Sequence, residues 1–96
     1  MFIISLHYLQ PLEVVDQYIE EHVQFLNKQY EEKRFIFSGR KVPRTGGVIL
    51  AKTSSKEEVE ELIQKDPFYQ HKIAEYEIIE FQITKCDERF GDFMDN

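Results

Sequence analysis

The sequence predicts an α+β fold of the ferredoxin-like kind, β-α-β-β-α-β, in which both helices cover one face of a four-stranded antiparallel sheet. Three observations carry that prediction. Apolar residues alternate with a period of two at both ends of the chain. They recur at spacings of three and four in two segments between, and a stretch punctuated by glycine and proline divides two short β-rich runs in the middle. A length of 96 residues allows one such domain. With 42% hydrophobic and 14% aromatic residues the chain can fill a core, and 31% charged residues can keep its outside wet, so it reads as folded rather than disordered.

Taken in order, residues 1–9 form the first strand, with Phe2, Ile4, Leu6 and Tyr8 on one parity and Ile3, Ser5, His7 and Leu9 on the other. Pro11 suits a first helical turn, and Glu13 and Asp16 complement a positive helix start, so a helix is expected from there to Glu32. Its stripe is Val15, Tyr18, Ile19, His22, Phe25, Leu26 and Tyr30, which places a histidine among apolar residues. Strands follow over 34–38 and 47–53, joined by a hairpin loop from Gly39 to Gly46. Ser54 or Ser55 caps the second helix, since Glu57 and Glu58 each complete an S-x-x-E box, and the helix ends near Lys65. Asp66 and Pro67 then read as the cap and first position of a short helical turn ending near Ala74. Alternation from Tyr76 to Lys85 gives the last strand, and residues 87–96 form an acidic tail, either loose or an arm packed on a partner. The division expected is one domain over residues 1–86 and the tail over 87–96.

The formal charge of −6 argues against a protein that grips a nucleic-acid backbone or an anionic membrane. No apolar run reaches the roughly 20 residues needed to span a bilayer. Cys86 has no second cysteine to pair with, and the start Met1-Phe2-Ile3-Ile4-Ser5 lacks the basic region and long apolar run of a secretion signal, so the expected compartment is the cytoplasm. The total conceals a basic middle. Between Glu32 and Glu57 stand Lys33, Arg34, Arg40, Lys41, Arg44, Lys52 and Lys56, with no acidic residue among them.

Two side chains are candidates for acid–base chemistry. His22 is an imidazole, the group whose protonation changes near neutral pH, on a helix face turned toward the core; the plainer alternative is a core histidine satisfied by one hydrogen bond. Asp66 can orient an imidazole, and it can also simply cap the turn before Pro67; the two roles are compatible, because a cap uses only part of a carboxylate's acceptor capacity. In the segment from Ser38 to Gly47, Ser38, Arg40 and Arg44 offer a hydroxyl and two guanidinium forks suited to a small anion, although a charged hairpin tip also needs no ligand. The Walker order of glycines, lysine and hydroxyl is absent, and His7, His22, His71 and Cys86 fall in no zinc-ligand spacing, so neither nucleotide-triphosphatase chemistry nor a metal site is expected. Cys86 lies beside an acidic tail, surroundings expected to disfavour a thiolate, and His7 is read as ordinary packing at a subunit contact.

Glu21-His22-Val23-Gln24-Phe25-Leu26, Ser38-Gly39-Arg40, Gly46-Gly47 and Asp66-Pro67-Phe68 follow one another in an order that resembles the YciI-like (YCII-related) family of small dimeric α/β-barrel proteins. The resemblance spans nearly the whole chain before the tail. It implies a homodimer packed sheet against sheet with a pocket in each subunit. The family's recurring histidine falls on His22 and its aspartate before proline on Asp66, together proposed as an active-site pair. Its best-defined chemistry is dehydrochlorination of a chlorinated hydroxyquinol, and structurally similar proteins include muconolactone isomerases. Many members have Gly-Pro where this chain has Gly39-Arg40, so the rim here is more basic and a different, anionic ligand is expected.

The expected function is therefore a small cofactor-independent enzyme of the isomerase or lyase type. His22 moves a proton, Asp66 orients it, and Ser38, Arg40 and Arg44 hold a small anionic substrate. The alternative is a non-catalytic module that binds or senses a small metabolite in the same pocket.

Overall fold

The computed structural model describes residues 1–93; the last three residues of the acidic tail, 94–96, lie outside the described residues. Strand β1 (Phe2–Tyr8) leads into α1 (Leu12–Gln17) and α2 (Ile19–Glu31), followed by the hairpin of β2 (Phe35–Arg40) and β3 (Gly46–Ala51). Helices α3 (Lys56–Ile63) and α4 (Pro67–Gln70) return the chain to β4 (Ala74–Glu80). The strands lie in the order β2-β3-β1-β4 and all pairs are antiparallel, which is the ferredoxin-like arrangement.

Parity in β1 decides which face is the core. Phe2, Ile4 and Leu6 are buried and meet Ile49 and Ala51 of β3, Val15 of α1, Val59, Leu62 and Ile63 of α3, and Phe68 of α4. On the opposite face the register aligns Phe37, Leu50, Ile3 and Ile79 in one row across all four strands, with Phe37 and Ile79 exposed.

The elements depart from the sequence expectation in several places, among them the hairpin, where β2 runs on to Arg40 and β3 begins at Gly46, so the connection is shorter than the Gly39–Gly46 loop expected. The single helix expected to Glu32 is broken at Tyr18, whose N–H bonds to the Val15 carbonyl at 3.0 Å and whose ring stacks on His71 at 4.4 Å. Helix α4 ends at Gln70, short of Ala74, because Ala74 already pairs with Tyr8 as the first residue of β4. Strand β4 stops at Glu80 rather than Lys85. Its ladder with β1 closes at the Glu80–Phe2 pair and one further bond from Phe81 N–H to the Met1 carbonyl, so the alternation beyond has no neighbouring strand to hold it. Residues Glu88–Phe93 of the tail form a 3-10 turn in which the Phe90 and Phe93 rings lie 6.5 Å apart.

The departure inside β2 matters most. A β-bulge between Phe35 and Phe37 shifts the β2 register by one residue. Phe35 stays opposite Ala51 on the core face, but Phe37 pairs with Leu50 on the open face, and Ser38 and Arg40 pair with Ile49 and Gly47. A regular strand would have put Phe35, Phe37 and Gly39 on one face. The bulge brings the hydroxyl and the guanidinium to the side where the helices lie.

Of the two candidate caps, Ser55 is the N-cap of α3 and accepts from Glu58 N–H at 3.2 Å. The box closes one residue early, since the Glu58 carboxylate accepts from the N–H and the hydroxyl of Ser54, each at 2.9 Å. These bonds hold Glu58 below its ordinary range. At the other end of β3, a Cβ on Gly46 would overlap the Leu6 carbonyl oxygen and lie 2.8 Å from its carbon. Gly46→Ala must therefore part β1 from β3. It is expected to cost about 3 kcal/mol, the upper part of the range for overpacking, and urea unfolding that gives the wild-type midpoint would contradict this close approach.

Candidate functional site

Helix α2 carries His22 one turn after the break at Tyr18, where its N–H bonds to the Tyr18 carbonyl at 3.0 Å. The side chain points inward and is buried. Asp66 arrives from the opposite direction as the cap of α4. One oxygen, Oδ1, accepts from Phe68 N–H at 3.0 Å, and Pro67 at the first position has no N–H to compete. The same oxygen lies 2.8 Å from His22 Nδ1, across 44 residues of sequence. Phe68 completes the join, since its ring stacks on the imidazole at 4.0 Å with an interplanar angle of 3°.

Asp66 is wholly buried, so its charge is compensated by the donors around it. Besides Phe68 N–H and His22, the Tyr76 hydroxyl of β4 donates to Oδ2 at 2.7 Å. Burial, and then the Asp66 charge, raise the Tyr76 phenol well above its ordinary value, which keeps it a donor. With Nδ1 committed to the carboxylate, the other ring nitrogen, Nε2, has no hydrogen-bond partner among the described residues.

His22 also lines a cavity of about 200 Å³ between α2 and the sheet. Its walls are largely apolar, from Leu6, Ile19, Val23, Leu26, Ile49 and Phe68, while Ser38, Arg40 and His22 bring polar groups to it. Few polar groups among apolar walls is the usual make-up of a small-molecule site. The Ser38 hydroxyl shares a 2.7 Å hydrogen bond with the Tyr30 hydroxyl, which orients it. Gly39 and Gly47 also line the space, and a Cβ on Gly47 would lie 3.0 Å from the Gly39 carbonyl oxygen, so the sheet there is close-packed as well as open to the cavity.

Of the five residues singled out in the sequence, the structure thus gathers His22 and Asp66 into one hydrogen-bonded pair and places Ser38 and Arg40 on the cavity with His22. Arg44 is placed differently. Its Nη2 bonds to Asp16 Oδ1 at 2.6 Å, and its guanidinium lies 5.8 Å from the centre of the Tyr8 ring, which itself borders the cavity. The hydrogen bond from Arg44, and the charges of Arg44 and Arg40, hold the Asp16 carboxyl below its usual range. Arg44 therefore sits at the edge of the site with its charge already paired. Tyr8, Tyr30 and Tyr76 were not singled out in the sequence. The alternation of β4 did put Tyr76 on one parity with Ile78, but no spacing rule joins a strand hydroxyl to a cap ten residues before it.

Among the described residues no group of three or more His, Cys, Asp or Glu side chains is placed to hold a metal ion, and no helix is long and apolar enough to cross a membrane.

Comparison with known proteins agrees with the fold. Residues 1–82 match the YCII-related domain. No curated protein matches the chain by sequence. Among solved structures, the chain is similar to the 5-chloro-2-hydroxyhydroquinone dehydrochlorinase from Burkholderia phenoliruptrix AC1100 in complex with 2,5-dihydroxybenzoquinone. The TM-score is 0.71 at 16% sequence identity, covering 84% of this chain and 93% of that one. At that identity the likeness is one of fold.

Proposed function

The chain belongs to the YCII-related family, and on that premise we propose that it is a small enzyme whose His22 and Asp66 move a proton on a small anionic, oxygen-rich substrate. The observation that carries the reading is the buried 2.8 Å contact between His22 Nδ1 and Asp66 Oδ1, beside a cavity that His22 itself lines. The carboxylate accepts the Nδ1 proton and so leaves the Nε2 lone pair for the cavity. Nε2 takes a proton from the substrate, and Asp66 stabilises the imidazolium that results. Returning the proton to a second atom of the substrate completes an isomerisation, whereas departure of a leaving group with its bonding pair completes an elimination, the imidazolium then passing its proton to that group or to solvent. Negative charge that develops on a substrate oxygen is met by Arg40, with a hydrogen bond from Ser38. Arg44 contributes from the rim, either through its field or by exchanging Asp16 for the substrate.

A cavity of about 200 Å³ suits one small ring. The ligand of the similar structure, 2,5-dihydroxybenzoquinone, is such a ring and is the first probe to use. A thermal-shift series with this quinone, small carboxylates and phosphates is expected to raise the unfolding temperature with at least one of them, since a ligand above its dissociation constant stabilises the state that binds it. Stabilisation that survives in an Arg40→Ala, Ser38→Ala double variant would contradict the placement of the anion. A ligand that binds and is left unchanged would favour the binding or sensing module instead.

We also place two copies sheet against sheet in the working protein. The support is the row Phe37, Leu50, Ile3 and Ile79, which leaves a continuous apolar strip on the open face of a small domain. Ile79→Glu is expected to yield a folded monomer in sedimentation, where the wild type sediments as a dimer; a wild-type monomer at working concentration would remove this element. A reducing cytoplasm, where the exposed Cys86 stays a free thiol, fits as the compartment.

A further inference from the structure

Tyr76 does not line the cavity and meets the site only through Asp66. Strand β4 carries it opposite Leu6 on the core face, so its ring approaches α4 from the sheet while His22 approaches from α2. Its hydroxyl donates to Asp66 Oδ2 at 2.7 Å, and Oδ1 is taken by Phe68 N–H at 3.0 Å and by His22 Nδ1 at 2.8 Å. Both oxygens of one fully buried carboxylate are therefore pinned by donors from separate elements.

The arrangement has a chemical consequence. A carboxylate held at one oxygen can turn about its Cβ–Cγ bond, and its second, buried oxygen is left without a donor. Such an oxygen is satisfied by taking a proton. A carboxylic acid whose O–H faced Nδ1 would then move the imidazole proton to Nε2, which is the wrong tautomer for a base that works from Nε2. A second donor on Oδ2 opposes the turn and leaves that oxygen satisfied as an acceptor.

Resting on the reading above, in which His22 and Asp66 move the proton, we propose that Tyr76 is a positioning residue of this site. Its hydroxyl locks the second oxygen of Asp66, holds the His22 proton on Nδ1, and keeps Nε2 bare toward the cavity. The site is then a Tyr76–Asp66–His22 chain that joins β4 to α2 through the cap of α4. Tyr76→Phe removes one oxygen and keeps the ring, which packs edge-on against Tyr69 at 6.0 Å.

The test compares the imidazole nitrogen spectrum of His22 in the full-length wild type and in Tyr76→Phe, with and without 2,5-dihydroxybenzoquinone, alongside urea unfolding. In the wild type the proton is expected on Nδ1 and the quinone is expected to shift Nε2. In Tyr76→Phe the Nε2–H tautomer should appear, and solvent exchange of the Nδ1 proton should accelerate by about 10- to 100-fold, the factor that corresponds to one hydrogen bond to a charged group. A lower unfolding midpoint with the tautomer and the exchange rate unchanged is what a purely structural tyrosine gives, and it overturns the proposal. Should Tyr76→Phe not fold, the wild-type chain with 3-fluorotyrosine in place of tyrosine carries the test. Its phenols donate more strongly, so slower Nδ1 exchange supports the proposal and unchanged exchange overturns it. The two possible failures are separable. A tautomer unaffected by Tyr76→Phe overturns the role of Tyr76 whatever the ligand does, and a wild-type His22 ring that ignores the quinone overturns the functional reading whatever Tyr76→Phe does.

Discussion

Asp66→Ala is expected to lower the stability of the protein by about 3–5 kcal/mol, the range measured when one partner of a buried charged contact is removed. The carboxylate accepts from Phe68 N–H, the Tyr76 hydroxyl and His22, all in a place that water does not reach, and alanine leaves all three groups unpaired. Loss of the cap on α4 adds to the cost. A domain of this size is expected to hold only about 5–15 kcal/mol in total, so the variant should be partly unfolded at physiological temperature. Asp66→Asn separates stability from function. Its oxygen can keep Phe68 N–H, and its amide nitrogen can face the Tyr76 oxygen with the hydroxyl turned, so much of the stability should return. The charge that stabilises an imidazolium does not return. Urea unfolding of the three proteins side by side checks both statements, and an Asp66→Ala variant as stable as the wild type would show that these bonds are not what the cap region depends on.

His22→Asn is expected to leave a folded protein that has lost about 10²- to 10⁴-fold in proton-transfer rate, the usual contribution of a positioned acid–base group. The asparagine amide falls near the place of Nδ1 and can still donate to Asp66 Oδ1, which protects the buried carboxylate. Nothing in it replaces Nε2. Ligand affinity should change far less than rate, because the apolar walls of the cavity and Arg40 are untouched. A His22→Asn protein with wild-type turnover would remove the imidazole from the chemistry, and one that fails to fold would identify the ring as structural support for Phe68 instead.

The order of elements was legible because each carries its own period and punctuation. Alternation at the two ends, the stripe that contains His22, the serines before Glu57 and Glu58, and the Asp66-Pro67 step are all local signals, and each marks its element, although the stripe spans two helices and the last alternation outruns its strand. The fold then did what no local signal could, closing 44 residues of sequence distance into one hydrogen bond. What sequence could not supply was anything decided by register or by partner choice. One inserted residue at Phe35–Phe37 turns Phe37 outward and Ser38 and Arg40 toward the cavity, and no residue there announces a bulge. Arg44 looked like an anion-binding group of the same loop as Arg40. It meets Asp16 of α1, a residue whose place near a helix start gave it a sufficient role of its own. Alternation through Thr84 and Lys85 was strand-like, but a strand also needs a neighbour, and the ladder with β1 ends first. Tyr76 was hidden for the same reason, since its importance lies in one oxygen atom of a residue on another element.

The most direct test of the central claim, that the His22–Asp66 pair transfers protons rather than only binding a ligand, is hydrogen exchange on the ligand itself. The protein is incubated in D2O with 2,5-dihydroxybenzoquinone, and the ring C–H signals are followed by NMR beside His22→Asn and a protein-free control. The wild type is expected to speed deuterium uptake by at least about 10²-fold over His22→Asn, with the quinone bound comparably by both. Equal exchange in the two proteins, with the quinone demonstrably bound, would contradict it and leave a binding module in its place.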